Sequence, residues 1–344
     1  MGYTRRVLEH LSKARVQSSH ATYESRWKVF ERFCFKLGVD PFEARGPLVA
    51  DFLVFIAQSR SASVATIAGF RSAIGAVLRL STGFNPGECP IIAQIMRSFK
   101  RTQPLPAKRI PQWDVAVVLD AFCEEQVEDE SLPLQIHTAK AVFLVSLASG
   151  DRCHALAALA WPPSFDDNRV RLSFLEDFVP KSFYVKTNQS RIQPLLIEGV
   201  LTNELKKVCT VNVLRSYAER TSVLRSPCQS SLFIPHNLSK CKNLSAQAVA
   251  RYLVKIVHWA YEKQQQKTPV CRAHDVRKIA TTLRELSSTS LSEFLGAGFW
   301  TTPNPFLKHY KIANTERLHG SMKKYTGIAV AKKSLSFQEK PASG

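Results

Sequence analysis

The sequence predicts a mainly α-helical protein with a small β-sheet, arranged as two domains. The first observation is the length of 344 residues, which suits two domains better than a single core. The second is that apolar residues recur at helical spacing through most of the chain. The third is that the β-like runs all fall within the predicted second domain, between residues 169 and 198. Hydrophobic residues make up 45% of the sequence, enough to form packed interiors.

The first predicted domain, residues 21–102, is helical and follows a loose basic start at residues 1–20. Its first helix, residues 22–37, gathers on one face the apolar side chains Tyr23, Trp27, Phe30, Cys34 and Leu37. Gly38 ends this helix, and three more helix-period segments follow. Their outer sides carry the cations Arg60, Arg71, Arg79, Arg97, Lys100 and Arg101. The domain is therefore predicted to present a cationic surface.

A proline-rich linker is predicted at residues 103–112. Pro104, Pro106 and Pro111 deny the backbone helical hydrogen bonds and stiffen it in an extended form. Lys108 lies among these prolines and is a candidate contact for a polyanion.

The second predicted domain, residues 113–318, mixes helices with β-strands, and residues 319–344 form a tail. Helices are predicted at about 112–126, 133–149, 211–224, 245–264 and 273–286, with Gly150 ending the second and Ser245 capping the fourth. An apolar helical run is also predicted after Arg152, ending at Trp161. The β-like runs are residues 169–175, 182–187 and 192–198. The acidic stretch at 124–130 reads as a solvated loop or helix end.

The charge of the chain predicts a polyanionic partner. The formal net charge is +19, and self-repulsion of that size opposes a compact state unless a partner neutralises it. Residues 1–108 carry 16 Lys and Arg against 7 Asp and Glu, so the excess is not confined to one end. A nucleic acid held between two domains fits this distribution better than a basic tail does.

The cysteines and the apolar runs argue against a metal, a secretory signal or a membrane. The eight cysteines include no C-x-x-C pair and read as reduced, mostly buried thiols of an intracellular protein. A zinc site from Cys228, His236 and Cys241 matches no familiar spacing. The amino terminus lacks an apolar stretch, and the most apolar run is too short to span a bilayer. No metal, cofactor or membrane partner is predicted.

Four short segments carry candidate chemistry: "ASGDRCHALAALAW", "FYVKTNQS", "AHDVRK" and "GFWTTPNPFLKHYKI". Their candidate residues, in chain order, are Arg152, Lys186, His274, Arg277, Trp300 and Tyr310. Taken singly, each fits a surface cation, a helix-face pair or a packing residue. Their order and spacing in a basic protein favour a shared site, with His274 and Arg277 on one helical face.

This order resembles the active site of the tyrosine recombinases, the phage-integrase-like family. "FYVKTNQ", "AHDVRKIATT" and "AGFWTTPNPFLKHY" are most similar to recombinases of eukaryotic DIRS-type and Crypton-type mobile elements. The resemblance covers nearly the whole chain. It implies a helical, SAM-like core-binding domain joined to a mixed α/β catalytic domain. It also implies double-stranded DNA as substrate, a homo-tetramer in the synaptic complex, no cofactor, and a nuclear location.

The resemblance also implies a role for each candidate residue. Tyr310 is the expected nucleophile, and Arg152 and Arg277 are expected to clamp the non-bridging phosphate oxygens. Lys186 is the expected general acid. His274 and Trp300 are expected to hydrogen-bond the scissile phosphate, and His274 to shuttle a proton. The expected DNA contacts are Arg71, Arg79, Arg97, Lys100, Arg101, Lys108 and Lys308.

One position departs from the family pattern. The family commonly has an acidic residue three positions after the first arginine, and Ala155 stands there in this chain. Two alternatives to a recombinase therefore stay open at this point. One is a domesticated DNA-binding protein without catalysis. The other is a DNA-relaxing enzyme resembling type IB topoisomerases, which shares the tyrosine chemistry.

Overall fold

The computed structural model describes residues 17–59, 61–103, 110–124, 129–180, 192–199, 203–238, 242–286 and 331–333. The chain divides into two compact units, Met1–Ala107 and Lys108–Gly344. Each unit has its own core of buried apolar side chains.

The described part of the first unit is helical. Its helices are α1 (Gln17–Lys36), α2 (Gly46–Ser59), α3 (Val64–Ser81) and α4 (Pro90–Thr102), with a short 3-10 helix at Pro41–Glu43. Phe30, Phe52 and Phe70 join α1, α2 and α3 through ring contacts of 5.0 and 5.6 Å between centroids. By length and composition α3 could cross a membrane, but its residues Ile67 and Ile74 are fully buried in this core.

The first helix largely follows its sequence pattern. Trp27, Phe30 and Cys34 are buried, as the apolar spacing predicts. Leu37 is 56% exposed, which contradicts its predicted place on the buried face. The helix ends at Lys36, one residue earlier than predicted, so Leu37 already belongs to the turn around Gly38. Gly38 has a positive φ of 68°, as expected for a residue that ends a helix.

The second unit is built around one buried helix. Its helices are α5 (Val115–Cys123), α6 (Leu134–Ser149), α7 (Cys153–Ala157), α8 (Thr210–Ser222), α9 (Ala246–Lys263) and α10 (Ala273–Leu286), with a 3-10 helix at Asn203–Val208. Every residue from Ile136 to Ser149 is buried, and α6 packs against α8, α9 and α10. A helix that is apolar on all sides is a core helix, so α6 is the centre on which the other elements are placed.

A small antiparallel sheet completes the second unit. The described strands are β1 (Ser164–Asp166), β2 (Arg169–Leu172), β3 (Leu195–Glu198) and β4 (Ala331–Lys333), in that order across the sheet. Two of the predicted β-runs contain β2 and β3, and the run at 182–187 lies outside the described residues. The sequence patterns indicated neither β1 nor β4. Strand β4 comes from the predicted tail and pairs with β3, with Ile197 opposite Ala331.

The helical run predicted after Arg152 is shorter than expected. It ends at Ala157 instead of Trp161, because Leu159 and Ala160 pair with other backbone segments. The Ala160 amide donates to Ser173 O at 2.8 Å, and the Leu232 amide donates to Leu159 O at 2.6 Å. These long-range bonds replace the helical ones and join the residues after α7 to the chain after β2 and to the segment around Leu232.

The described acids of the segment at 124–130 form ion pairs and hydrogen bonds, which a solvated loop would not require. Lys140 of α6 is fully buried, and its Nζ lies 2.7 Å from Asp129 Oδ1. Glu124 pairs with Lys263 at 3.2 Å, and Glu130 accepts a hydrogen bond from Ser216. A buried ammonium group requires a nearby counter-ion. Asp129 supplies it, and the segment that carries Asp129 is therefore held against α6.

The cysteine prediction is wrong at one position. Cys228 is disulfide-bonded, whereas Cys34, Cys89, Cys123, Cys153, Cys209 and Cys271 are thiols. The prediction of eight thiols rested on the absence of closely spaced pairs, and spacing along a chain does not tell which loops meet in the fold.

Candidate active site

The described residues include three of the six predicted catalytic side chains, Arg152, His274 and Arg277, all in the second unit. Lys186, Trp300 and Tyr310 lie outside the described residues. The same holds for the DNA-contact candidates Lys108 and Lys308.

A tight turn after α6 places Arg152. Gly150 ends α6 in the left-handed conformation, with φ of 63°, and its amide donates to Ser146 O. A Cβ at Gly150 would lie 3.3 Å from Thr281 Cγ2, so the turn packs closely on α10. Both the positive φ and this close approach favour glycine. The sequence prediction that Gly150 ends the helix is confirmed.

Arg277 joins α10 to this turn. Its side chain is only 2% exposed, and its Nη1 donates a hydrogen bond of 2.5 Å to the carbonyl oxygen of Gly150. Arg152 stands two residues after that carbonyl, half-buried at the N-terminus of α7. The bond therefore brings the two predicted clamp arginines to the same part of the second unit.

His274 lies one turn before Arg277 on α10. Its side chain reaches the surface, yet the surrounding protein lowers the pKa of the imidazole below its usual value, chiefly by desolvation. The positive charges of Arg277, Lys278 and Arg152 lower the pKa of His274 further, while Asp275 opposes them. The imidazole of His274 is therefore neutral at neutral pH. Together with the bond from Arg277 to Gly150, these interactions place Arg152, His274 and Arg277 in the same part of the second unit.

Asp275 has a separate task at the start of α10. Its Oδ2 accepts a hydrogen bond of 2.9 Å from the amide of Arg272, so it caps the helix. The side chain is buried.

Position 155, where the family that the sequence resembles has an acid, is apolar in this structure. Ala155 is 4% exposed and packs with Ala158 and Phe178. Nearby, burial raises the pKa of the Cys153 thiol, and the His154 ring lies 5.3 Å from the Phe178 ring. A carboxylate at position 155 would therefore face an apolar cluster.

A cationic groove beside His274 was missed by the sequence analysis. It has a volume of about 970 Å³ and runs along α9 to the residues just before α10. Its basic lining residues are Arg251, Lys255, His258 and Arg272, with Glu262 as an acid. The available signal was the polar spacing of Gln247, Arg251, Lys255 and His258 on the side of α9 opposite its buried residues. The sequence analysis used α9 only as an amphipathic core helix.

The first unit carries its own basic surface. Arg79, Arg97, Lys100 and Arg101 are exposed, and Arg71 is half-buried. Arg97, Lys100 and Arg101 share one side of α4 because they are three and four residues apart. The predicted cationic surface is thus present at the described positions, while its contact with DNA stays a prediction.

Two of the three residues suggested for zinc have other surroundings, and Cys241 lies outside the described residues. His236 Nδ1 lies 3.1 Å from Tyr252 Oη, and Cys228 is disulfide-bonded. Across the part of the chain that the structure describes, no group of three or more His, Cys, Asp or Glu side chains could hold a metal ion.

In comparisons with known proteins, only solved structures are similar to this chain. No family profile and no curated protein sequence matches the chain. The Tn1549 transposon integrase in complex with transposon right end DNA is similar with a TM-score of 0.57 and 12% identity, covering 90% of this chain and 94% of that one. A lambda integrase dimer bound to a COC′ core site is similar with a TM-score of 0.52 and 13% identity, at the same coverages.

At this level of identity the likeness concerns the fold. The mainly α-helical architecture with a small sheet, predicted from the sequence, is confirmed, and it matches the fold of the tyrosine recombinase catalytic domain.

Proposed function

We propose that this chain is a tyrosine recombinase, a site-specific integrase that cleaves and rejoins DNA strands through a 3′-phosphotyrosyl intermediate. The observation that carries the proposal is the bond from Arg277 to the carbonyl of Gly150. It sets the H-x-x-R helix against the turn that presents Arg152, in a chain with the integrase fold.

The two arginines suit a phosphate clamp. A guanidinium group is planar, stays charged and offers paired donors to two oxygens. Charge that develops on the non-bridging oxygens during attack would be stabilised by roughly 3 kcal/mol for each well-placed donor. The neutral imidazole of His274 can donate one hydrogen bond to a phosphate oxygen and accept a proton at its other nitrogen.

The remaining steps fall to residues outside the described part of the chain. The Tyr310 oxygen attacks phosphorus, the bond to the 5′ oxygen breaks, and Lys186 protonates that oxygen. The reverse reaction rejoins the strand without ATP because the phosphotyrosyl bond conserves the energy of the phosphodiester. Trp300 would donate its indole N–H to a phosphate oxygen. A phenol with a pKa near 10 needs the neighbouring cations to ease its deprotonation.

Double-stranded DNA is the proposed substrate. Support comes from the groove with Arg251, Lys255 and Arg272 beside His274, from the basic side of α4, and from the net charge of +19. The similar Tn1549 structure contains transposon right end DNA, and the lambda structure contains a core site. We extend those partners to this chain as part of the proposal.

The finer assignments rest on the sequence resemblance. We propose a DIRS-type or Crypton-type mobile element as the origin, the ends of that element as the recombination sites, and the eukaryotic nucleus as the location. A homo-tetramer on two duplexes is the proposed synaptic complex. Catalysis would need no metal, since the cations of the protein itself replace one.

One observation favours a second candidate, a DNA-binding protein that has lost catalysis. Ala155 occupies a buried apolar position where the family has an acid. The two candidates predict the same DNA affinity and differ in covalent chemistry.

The test is incubation of the full chain with supercoiled plasmids that carry, or lack, candidate element ends. Site-dependent recombination with covalent protein–DNA adducts supports the recombinase. Relaxation of every plasmid supports the topoisomerase-like alternative, and binding without adducts supports the non-catalytic protein. Tyr310→Phe should abolish adducts and leave DNA affinity nearly unchanged, while Tyr325→Phe, a matched phenol removal in the tail, should keep both.

A further inference from the structure

Asp151 is a buried carboxylate in the turn after α6, and neither the family pattern nor the roles above give it a task. It lies between Gly150, whose carbonyl binds Arg277, and Arg152 itself. Its side chain is only 2% exposed. A carboxylate that deep is strongly unfavourable unless positive charge lies close by.

The surroundings supply that positive charge. Arg277 is 2% exposed and bonded to the residue before Asp151, and Arg152 is the residue after it. Lys278 follows Arg277 on α10, and Arg277 is bonded to the turn that carries Arg152, so these cations lie in the same part of the second unit. Like charges held together in a low-dielectric region repel one another, and an embedded anion lowers this repulsion.

The other nearby acids do not fill this role equally well. Asp275 is buried, but its carboxylate caps α10 through the amide of Arg272. Position 155, where the family has its acid, is an alanine in an apolar cluster with Phe178. Asp151 is the acid next to Arg152 in the chain and, unlike position 155, lies beside the bond that anchors Arg277.

We propose that Asp151 is a positioning residue that replaces the missing family acid, orienting Arg152 and Arg277 by the negative charge of its buried carboxylate. Asp151 acts through the guanidinium groups and does not touch the phosphate. This inference rests on the proposed function, because its effect is read from the rate of strand cleavage.

The backbone around Arg152 gives a reason why a carboxylate at position 151 could serve in place of one at position 155. The Asp151 amide donates to Ser149 Oγ at 3.1 Å, and the following α7 has Arg152 at its N-cap. The turn therefore holds the backbone on both sides of Arg152. A carboxylate within this turn therefore stands next to Arg152 in the chain and next to the residue whose carbonyl binds Arg277.

The experiment compares Asp151→Asn, Asp151→Glu and the exposed control Asp167→Asn in the full chain. Each is mixed with a DNA duplex whose scissile phosphate is intact and whose same strand is nicked a short distance 3′ of it. Cleavage then releases a short fragment with a 5′ hydroxyl, religation is prevented, and the adduct accumulates in one turnover. The adduct rate per folded protein and the affinity for uncut DNA are measured separately. Asp151→Asn should slow the adduct rate by about 10- to 100-fold, as loss of an orienting partner does, with DNA affinity within about threefold of the parent protein.

The remaining variants test charge and mechanism. Asp151→Glu should recover most of the rate because it keeps the charge, and Asp167→Asn should match the parent protein. In an Arg152→Ala or an Arg277→Ala background, Asp151→Asn should cause less additional loss, because groups that act together are not additive. This non-additivity is not expected from a residue that only supports folding.

Three results would overturn the inference. They are an Asp151→Asn rate equal to that of the parent protein, an Asp151→Glu protein as slow as Asp151→Asn, and full additivity with both arginine variants. A parent protein that forms no adduct on any site would instead remove the proposed function, so the two failures are distinguishable.

Discussion

The guanidinium of Arg277 donates a hydrogen bond to the carbonyl oxygen of Gly150, a residue that is 127 positions away in the chain. This single bond joins the helix that carries His274 to the turn that carries Arg152. The bond to Gly150 is made by Nη1 of Arg277. Arg277 can therefore hold the turn and also take part in the candidate site.

Replacing Arg277 by lysine should separate charge from shape. Lysine keeps the positive charge but lacks the planar fork, so it cannot hold the Gly150 carbonyl and a phosphate together. We expect the adduct rate to fall by about 100-fold or more, comparable to the loss of a preorganised donor. The same change at the exposed Arg171 should leave the rate unaltered. An Arg277→Lys protein with the parent rate would contradict the clamp.

Gly150→Ala should destabilise the second unit. The left-handed backbone alone makes alanine unfavourable by about 1–2 kcal/mol, and the new Cβ would also meet Thr281 Cγ2 at 3.3 Å. Urea unfolding of Gly150→Ala in the parent and in a Thr281→Ser background measures the second effect, because serine lacks Cγ2. The loss should be smaller in the serine background. Equal losses would show that the close approach has no energetic weight.

The buried pair Lys140–Asp129 should be costly to break. Lys140 is fully buried, and Asp129 Oδ1 lies 2.7 Å from its Nζ. Burial lowers the pKa of Lys140, while Asp129 opposes this shift. Asp129→Asn should reduce the free energy of unfolding by about 3–5 kcal/mol, because a buried charge loses its partner. The double change Asp129→Leu with Lys140→Met should lose less, and a larger loss in the double variant would argue against this account.

His137 should make the stability depend on pH below neutrality. Desolvation on α6 lowers the pKa of His137 from 6.5 to about 4. In this window the unfolded chain binds a proton that the folded chain does not, so stability rises with pH from about 4 to 6.5 and falls as pH drops. Because of this shift, the free energy of unfolding is roughly 3 kcal/mol larger above pH 6.5 than below pH 4. His137→Gln should remove this slope, whereas the exposed His154→Gln should retain it.

The cationic groove along α9 should contribute to DNA affinity in a salt-dependent way. Arg251→Glu combined with Lys255→Glu should weaken binding and reduce the slope of log affinity against log salt by about 2, one for each lost phosphate contact. Arg169→Glu combined with Arg171→Glu, at two exposed positions of β2, is the matched double charge reversal on the sheet. If both changes weakened binding equally, net charge alone would explain the effect and the groove would have no special part.

The sequence predicted most of the helices because their apolar spacing is strong and their ends carry clear signals. Ser245 caps α9 and Gly150 ends α6 as expected. The same reasoning failed where distant segments decide the local structure. The run after Arg152 ends early because Leu159 and Ala160 pair with Phe174 and Ser231, and such pairing is not written in the local pattern.

The candidate site shows the same division between local and distant information. Motif order pointed to Arg152, His274 and Arg277, and the structure places all three in the same part of the second unit. Their catalytic roles stay a prediction. It could not indicate Asp151, because a buried aspartate in a turn looks like an ordinary turn residue until its exposure is known. The groove along α9 was only partly indicated, since the polar spacing on α9 is visible in the sequence while Arg272 and Gln135 come from other segments.

The position of β4 affects how the protein matures during synthesis. Strand β3 ends at Glu198, but the strand that pairs with its free side begins at Ala331. A ribosome therefore releases β3 long before its neighbour exists, and the open edge can meet other chains in that interval. Nascent chains stalled before residue 331 should accordingly need chaperones more than the finished protein does.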